Sequence, residues 1–208
     1  MALDGILLSL AKKEILDGAQ FSRVEKVHQP SREELVIHLR GKGGARKLLL
    51  SVRANSPRIH FTAHAPENPA TPPMFCMLLR KHLSGARLLD VVQMPMERVA
   101  ELTFDCTDEM GDAVQKKLVA ELMGRTCNLY LLGADGRIID CLRRIGLDES
   151  AKRAALPGMY YQLPEPISKI DPKGFTDFAG VLQGVGADVL SERLMDTFGG
   201  LSPLVCRE

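Results

Sequence analysis

The chain has no tryptophan, and its aromatic residues amount to only 5% of 208 positions. Proteins that hold single-stranded RNA through stacked bases commonly present several aromatic side chains on one surface. A platform for several stacked bases is therefore not expected. The net charge is also small, with a formal value of +1 at pH 7. Any nucleic-acid site must then be a local patch, since the chain as a whole carries no strong field.

Paired cysteine motifs and long apolar runs are absent too. The five cysteines form no C-x-x-C motif and are odd in number, which argues against a disulfide framework and favours a reducing, cytoplasmic location. No apolar run approaches the ~18 residues that a membrane span requires, so no membrane association is predicted. Residues 1–5 contain no basic region, and charged residues at 12–14 interrupt the first apolar face. The sequence therefore predicts no secretory signal peptide.

Motifs of nucleotide, metal and hydrolase chemistry are missing as well. The segment Gly41-Lys42-Gly43-Gly44 is too short for a P-loop and is predicted to be a turn between strands. His60 and His64 are four residues apart but fall on a strand and a loop, so packed or solvated histidines are favoured over a metal pair. There is no G-x-S-x-G motif and no outstanding pair of carboxylates. The sequence thus predicts a binding protein without a catalytic group, metal or cofactor.

Apolar periodicity in the first part of the chain predicts one helix followed by strands. Apolar residues from Leu3 to Ile15 recur at helical spacing, and Asp17-Gly18 ends the run. Asp4 stands where it either caps this helix or serves a function, and the pattern leaves both open. Four strands follow with the turn density of a meander, at 21–28, 34–40, 47–52 and 58–62.

A proline-rich loop then leads to a second helix, which carries the most distinctive stretch of the chain. Pro73 suits the first helical position, where its missing N–H costs nothing. The triplet Arg80-Lys81-His82 lies largely off the apolar face and is interpreted as a solvated surface. Cys76 is interpreted as a buried thiol. The apolar face consists of Phe75, Leu78, Leu79 and Leu83.

Further antiparallel strands are predicted after this helix. The segment 88–94 pairs plausibly with 98–106, and the charged pair Glu97-Arg98 lies at their turn. Such a pair at a turn is most often a surface ion pair of small energetic weight. The segment 113–123 is ambiguous, because its apolar residues fit either a helix or a strand.

Turn-forming residues further along the chain indicate a hairpin and then a domain boundary. Asp135-Gly136 separates the strand-like segments 128–132 and 137–142 and predicts a type I′ turn. Prolines are then frequent from 156 to 172, which is typical of a connector. The predicted division is a first domain of residues 1–172 and a helical segment of residues 173–208.

The helical segment contains a pattern that is used for phosphate binding. Two short helices, at 175–182 and 189–195, flank an L-x-G-V-G sequence of the helix-hairpin-helix type. Gly184 and Gly186 would let backbone N–H groups and the next helix N-terminus approach a phosphate. An ordinary helix connection explains the pattern equally well. Ser202 and Pro203 begin one more helix shortly before the last residue, as expected for a segment of a longer protein.

Several of these stretches together resemble the N-terminal domain of the NFACT family, the RqcH and NEMF proteins, often called fibronectin-binding protein A in bacteria. The resemblance covers essentially the whole chain, and its most specific run is P-P-M-F-C-M-L-L-R-K-H. It implies an α+β fold, a β-sandwich with flanking helices similar to the N-terminal domain of formamidopyrimidine-DNA glycosylases, followed by a helix-hairpin-helix segment. The residues that carry it are Met1–Gly5, Pro72–Leu83, Met123–Arg125, Leu156–Tyr161 and Gly200–Leu204.

The resemblance also implies a function in ribosome quality control. Such proteins bind the stalled large ribosomal subunit with its peptidyl-tRNA and recruit alanyl-tRNA, so that an alanine tail marks the nascent chain. The family's coiled-coil and NFACT-R modules would lie beyond Glu208. By position, Asp4 matches an acidic residue at the family's start, and Glu97-Arg98 matches an Asp-Arg pair that contacts the tRNA anticodon region. The glutamate replaces the family's aspartate, which leaves tRNA selectivity open.

Two other functions compete with this tRNA- and rRNA-binding function. The family's older name implies a surface adhesin for fibronectin or fibrinogen, and the missing signal peptide argues against it. The glycosylase-like fold implies DNA repair. Glycosylases of that fold use an N-terminal proline as nucleophile, whereas the second residue here is Ala2. The sequence therefore predicts RNA binding without catalysis.

Overall fold

A computed structural model describes residues 3–64, 66–146, 153–165, 168–184 and 186–207, with the backbone alone at 125, 187 and 188. The strands in these ranges are β1 (Arg23–Ser31), β2 (Glu34–Gly41), β3 (Gly44–Ser51), β4 (Arg58–Thr62), β5 (Arg87–Gln93), β6 (Val99–Thr107), β7 (Ala113–Glu121), β8 (Asn128–Leu132) and β9 (Ile138–Cys141). The helices are α1 (Gly5–Ala19), α2 (Met74–Leu83), α3 (Phe178–Leu182), α4 (Ala187–Thr197) and α5 (Pro203–Arg207), and a 3₁₀ turn covers Gly124–Thr126.

The strands of the described chain form one nine-stranded sheet in the order β4-β3-β2-β1-β5-β6-β7-β8-β9. All neighbouring strands are antiparallel. The junction between β1 and β5 is narrow, because its register pair in the described chain is Arg23 with Arg87. Backbone hydrogen bonds from Phe21 to Leu88 and from Leu88 to Ser22 extend it. The predicted α+β class with flanking helices is confirmed, and the strands form one large antiparallel sheet.

Both halves of the sheet contribute to one hydrophobic core. Ile37 and Leu48 of the first half and Leu102 and Phe104 of the second are fully buried in the same cluster. Helix α1 packs against β5 and β4, and helix α2 packs against β1 and β6. The strands predicted as a sandwich are thus one continuous hydrogen-bonded sheet around a shared core. The similarity to the glycosylase domain stays a prediction.

The ambiguous segment 113–123 is a strand. Strand β7 keeps an unbroken register with β6, from Glu121 opposite Val99 to Ala113 opposite Thr107. Its last four residues, 118–121, are all buried. A strand that is covered on both faces loses the alternation of apolar and polar residues by which strands are recognised. This explains why the sequence pattern left the choice open.

The hairpin of β8 and β9 is confirmed, but its predicted type I′ turn is wrong. A type I′ turn requires positive φ at both central residues. Gly136 has a φ of +80°, whereas the non-glycine residues with positive φ in the described chain are Phe21 and Met96, so Asp135 does not qualify. The Gly136 N–H instead donates to the Gly133 carbonyl at 3.1 Å. The loop is therefore longer than two residues.

Helix α2 packs through the face that its periodicity predicts. Phe75, Cys76, Leu79 and Leu83 are buried. The Cys76 Sγ lies 3.6 Å from the Val27 carbonyl oxygen, and burial raises the pKa of its thiol. The interpretation of Cys76 as a buried thiol is confirmed, and each of the chain's cysteines is free and buried.

The basic triplet of α2 is only partly solvated. Arg80 is half-buried and donates to the backbone of β1, so it is not simply solvated. The other two members also have partners on the β6–β7 side. The interpretation as a solvated surface therefore holds for Lys81, which is exposed, but not for Arg80 and His82, which are half-buried. The contacts are Arg80 Nε to Val27 O (2.8 Å), Lys81 Nζ to Glu109 Oε1 (2.7 Å), and Lys116 Nζ to His82 Nδ1 (2.9 Å).

Three histidines have a lowered pKa, because burial disfavours the charged imidazolium. Burial is the largest cause at His28, His38 and His82. Nearby positive charges lower each pKa further, including Lys116 beside His82. An unfolded histidine titrates near about 6.5. Below that pH the unfolded chain binds more protons than the folded chain, so acidification favours unfolding.

We expect the free energy of unfolding, measured by urea titration, to fall as the pH is lowered from about 7 to about 5.5. His82→Gln removes one of the protonation sites responsible and should make this fall shallower. The exposed His64, changed to glutamine, is the matched control. An equal change in slope for both variants would contradict the assignment to His82.

The helical segment has the predicted order of helix, turn and helix. Gly184 follows α3 with a φ of +72°, and Gly186 is the N-cap of α4. Val185 lies outside the described residues. Ser202 accepts from the Val205 N–H at 3.4 Å and begins α5, as predicted. The rings of Phe175, Phe178 and Phe198 contact one another, with centroids 5.1, 5.3 and 5.4 Å apart.

The assignment of this segment as helix-hairpin-helix and the division at residue 172 stay predictions. In the described ranges no helix is both long and apolar enough to cross a bilayer.

Candidate nucleic-acid interface

The three residues predicted to contact tRNA lie at one corner, where the start of α1 meets the β5–β6 turn. The Gln93 side chain joins the two elements, because its Nε2 donates to the Gly5 carbonyl at 2.8 Å and to the Glu97 carbonyl at 2.9 Å. Arg98 Nη1 lies 3.5 Å from the Leu3 carbonyl oxygen. The fold thus brings Asp4, which lies between Leu3 and Gly5, next to Glu97-Arg98. We call this set the Arg98 corner.

Asp4 caps helix α1. Its backbone is extended, and its Oδ1 accepts from the Leu7 N–H at 2.8 Å, which is the geometry of an N-cap. The side chain is buried, and its Oδ2 has no hydrogen-bond partner in the described chain. A buried acceptor without a partner costs about 1–3 kcal/mol. The predicted capping function of Asp4 is therefore confirmed.

The β5–β6 turn has an unusual backbone that three glycines accommodate. Met96 has a φ of +54°, in the region that side-chain-bearing residues rarely adopt. A Cβ on Gly5 would collide with the Met96 carbonyl oxygen, and one on Gly200 would lie 2.9 Å from Met96 Sδ. A Cβ on Gly199 would lie 3.2 Å from Met96 Cβ. Backbone strain of this kind is concentrated at functional sites.

Glu97 and Arg98 differ in accessibility. Glu97 is only 7% exposed, so the prediction of an ordinary surface pair is wrong for this residue. Arg98 is half-buried and is therefore the more accessible residue of the pair. Burial limits the access of a base to the Glu97 carboxylate. Of the predicted pair, Arg98 is thus the accessible residue and Glu97 is a buried part of the turn; contact of either residue with tRNA stays a prediction.

The sequence pattern did not indicate that Gln93 joins α1 to the β5–β6 turn. It also did not indicate that three glycines make room for Met96. Gln93 is an ordinary polar residue at the end of a strand, and only the tertiary fold shows that it joins α1 to the turn. The glycines did carry a signal. Gly5 and Gly200 fall inside the resemblance motifs at the two ends of the chain, and the structure shows that both motifs meet at Met96. The Gly5 N–H donates to the Gly200 carbonyl at 3.0 Å.

Other predicted positions belong to different elements of the fold. Gly184 and Gly186 are in the turn between α3 and α4, and no hydrogen bond of the described chain joins them to Asp4 or Arg98. Phosphate binding by these glycines stays a prediction. Ala2, on which the predicted lack of glycosylase chemistry depends, lies outside the described residues.

The similarity to known protein sequences extends along the whole chain. The family model "NFACT N-terminal and middle domains" matches residues 4–208. The Rqc2 homolog RqcH of Bacillus subtilis is 36% identical over 211 residues, which cover 100% of this chain and 37% of that protein. The archaeal Rqc2 homolog aRqcH of Methanocaldococcus jannaschii is 34% identical over 138 residues, covering 66% of this chain and 19% of that protein. The chain therefore spans little more than a third of the Bacillus relative.

Solved structures share the fold. The N-terminal domain of fibronectin-binding protein PavA from Streptococcus pneumoniae superposes with a TM-score of 0.91 at 30% identity, over 99% of this chain and 81% of that chain. The N-terminal part of the fibronectin/fibrinogen-binding protein from Streptococcus suis gives a TM-score of 0.91 at 28% identity, over 100% and 78%. Because the family model matches residues 4–208 and the Bacillus relative aligns along the full length, this chain belongs to the NFACT family.

Proposed function

We propose that this chain is the RNA-binding part of a cytoplasmic ribosome quality control factor similar to RqcH. It binds tRNA and rRNA on the stalled large subunit with its peptidyl-tRNA, recruits alanyl-tRNA for alanine tailing, and carries no catalytic group of its own. Family membership and the Rqc2 homologs support this proposal. Because the chain matches only 37% of the Bacillus protein, tailing is an activity of the full-length protein.

The observation that carries the proposal is the way the fold holds Arg98. The turn before it is fixed by Gln93 and by the close packing of Gly5 against Met96. An arginine on a fixed support loses less freedom on binding, which favours affinity. Its planar guanidinium donates to two acceptors at once and so fits a phosphate or the edge of a guanine.

We expect Arg98→Ala in the full-length protein to weaken tRNA binding by about 5- to 150-fold, the factor for losing one bidentate contact of roughly 1–3 kcal/mol. Alanine tails on stalled nascent chains should shorten or disappear. Arg98→Lys keeps the charge without the planar fork and should give an intermediate loss. The measurements are the dissociation constant for labelled tRNA and the tail length in a reconstituted translation reaction.

Arg32→Ala is the matched control, because Arg32 is an exposed arginine on the β1–β2 turn. It should retain tRNA binding and tailing. Glu97→Gln tests the buried carboxylate separately, with thermal melting to confirm the fold. Normal tailing by Arg98→Ala would refute the site, and equal losses for Arg98→Ala and Arg32→Ala would indicate unspecific attraction.

The names of the solved relatives favour a second candidate function, binding of fibronectin or fibrinogen. In that case the endogenous protein would be found mainly at the cell surface and not in ribosomal fractions. Cell fractionation, together with a binding assay on immobilised fibronectin, distinguishes the two candidates.

A further inference from the structure

A second surface, at the other end of α1, presents an exposed aromatic ring on a strained backbone. Phe21 follows the helix C-cap, Gln20, and has a φ of +62°. This left-handed conformation is unfavourable for residues with a side chain and is an outlier for a bulky one. The side chain is 61% exposed, so burial of the ring does not compensate for the strain. Glycine or asparagine is the usual residue at such a position.

The backbone that carries Phe21 is held firmly. The Phe21 N–H donates to the Leu88 carbonyl at 2.7 Å, and the Ser22 N–H donates to the Ala19 carbonyl at 3.0 Å. A Cβ on Gly41 would collide with the Ser22 hydroxyl, so the β2–β3 turn packs directly against this segment. The ring therefore projects from a rigid support, as preorganised binding residues do.

Cations surround a shallow cleft of about 470 Å³ beside Phe21. Asp17 also lines the cleft, and Glu25 pairs with Arg40 from outside it. Five positive charges thus face two negative ones. The cations are Arg23, Arg40, Lys42, Arg46 and Arg87. Within the described chain no ion pair engages the exposed Arg23, Lys42 and Arg87.

We infer that this surface binds a single-stranded segment of RNA, with one unpaired base stacked on Phe21 and the flanking phosphates on Arg23, Lys42 and Arg87. These four residues are called the Phe21 patch. The inference rests on the proposed RNA-binding function and adds a second contact to it. A ring beside a basic groove matches the two components of a nucleic-acid strand, the π-face of the base and the charged backbone. An acidic peptide would engage the cations but would leave the strained ring unused.

The Phe21 patch and the Arg98 corner lie at opposite ends of α1. The helix has 15 residues, which at 1.5 Å per residue separates its ends by about 22 Å. A variant at one site therefore leaves the other intact, and the two contacts can be tested independently. A single RNA that reaches both must extend along the helix.

Phe21→Gly in the full-length protein should weaken RNA binding without lowering the stability of the fold. Glycine relieves the left-handed strain, so the melting temperature should stay equal or rise. Affinity for a short fluorescein-labelled single-stranded RNA should fall about 5- to 150-fold, the factor for losing one stacked base. Phe21→Tyr keeps the ring and should retain binding. Arg23→Gln and Arg87→Gln should each lower the slope of log affinity against log salt by about 0.7.

Met110→Ala is the control for an exposed apolar side chain, since Met110 is 89% exposed on the β6–β7 turn. The proposed function would be overturned if the wild-type protein bound neither tRNA nor the single-stranded RNA. Normal single-strand affinity of Phe21→Gly, with weakened tRNA binding of Arg98→Ala, would overturn only the inference about the patch. The inference would also fail if Met110→Ala lost as much affinity, or if the same RNA annealed into a duplex responded equally to Phe21→Gly.

Discussion

Glu121→Ala is expected to lower the free energy of unfolding by about 3–5 kcal/mol, the range for removing one partner of a buried ion pair. Glu121 ends strand β7 and is fully buried. Its carboxylate pairs with Arg153 and accepts from the Tyr161 hydroxyl at 2.8 Å. Alanine would remove this carboxylate from the half-buried Arg153 and would deprive Tyr161 of its acceptor, whereas the wild-type carboxylate itself is completely buried. Urea titration of the purified chain measures the loss.

Glu101→Ala provides the matched comparison. Glu101 lies on β6 and pairs with Lys117 at 2.8 Å, but both side chains are partly exposed. An exposed pair contributes about 0–1 kcal/mol, so this variant should be nearly neutral. The double variant with Arg153→Met tests the pairing directly, because removing both charges should recover part of the loss. A Glu121→Ala protein as stable as Glu101→Ala would contradict the structure's account of this cluster.

The Glu121 cluster also explains a motif that the sequence could only recognise by resemblance. The stretch Leu156–Tyr161 packs onto the β8–β9 hairpin, with hydrogen bonds from Ile138 to Met159 and from Gly158 to Ile138. Tyr160 lies under the Arg137 guanidinium at 4.5 Å, and Tyr161 reaches Glu121. This part of the proline-rich connector is therefore bound to the sheet. Its glycine and tyrosines have a structural purpose.

Elements that depend on local patterns were predictable from the sequence. Helices α1 and α2 follow from apolar spacing, whereas residue type and position left a cap at Asp4 as one of two alternatives. Strand β7 was not decided, because both of its faces are covered: Leu118 and Ala120 are buried in one hydrophobic cluster and Val119 in another, which removes the alternation. The single continuous sheet depends on the long-range contact of Arg23 with Arg87, which no local pattern encodes.

The candidate site shows the same division between local and tertiary information. Asp4, Glu97 and Arg98 were found through resemblance, but their relative accessibility depends on the turn at Met96. Phe21 was predicted as the first residue of a strand, whereas β1 begins at Arg23. A phenylalanine between a helix and a strand looks like an apolar strand residue. Only the backbone shows that it is left-handed and exposed.

Gly5→Ala is expected to disrupt the Arg98 corner while leaving every charged residue in place. Within an ordinary helix this substitution raises stability by about 0.5–1 kcal/mol. Here the new Cβ would lie 2.8 Å from Gly200 Cα and would collide with the Met96 carbonyl oxygen. Overpacking against backbone costs about 1–3 kcal/mol. We therefore expect net destabilisation, measured by urea titration, and a loss of tRNA binding comparable to that of Arg98→Ala.

Gly43→Ala controls for the loss of a glycine as such, because a Cβ at Gly43 meets no heavy atom within 4 Å. It should leave stability unchanged. Binding by Gly5→Ala must be measured at a temperature where the variant is fully folded, so that displacement of Arg98 is not confused with unfolding. A folded Gly5→Ala protein that binds tRNA normally would show that the packing at Met96 does not position Arg98. A stabilised one would contradict the close contact itself. Normal stability together with lost binding would mean that the backbone yields and carries Arg98 with it.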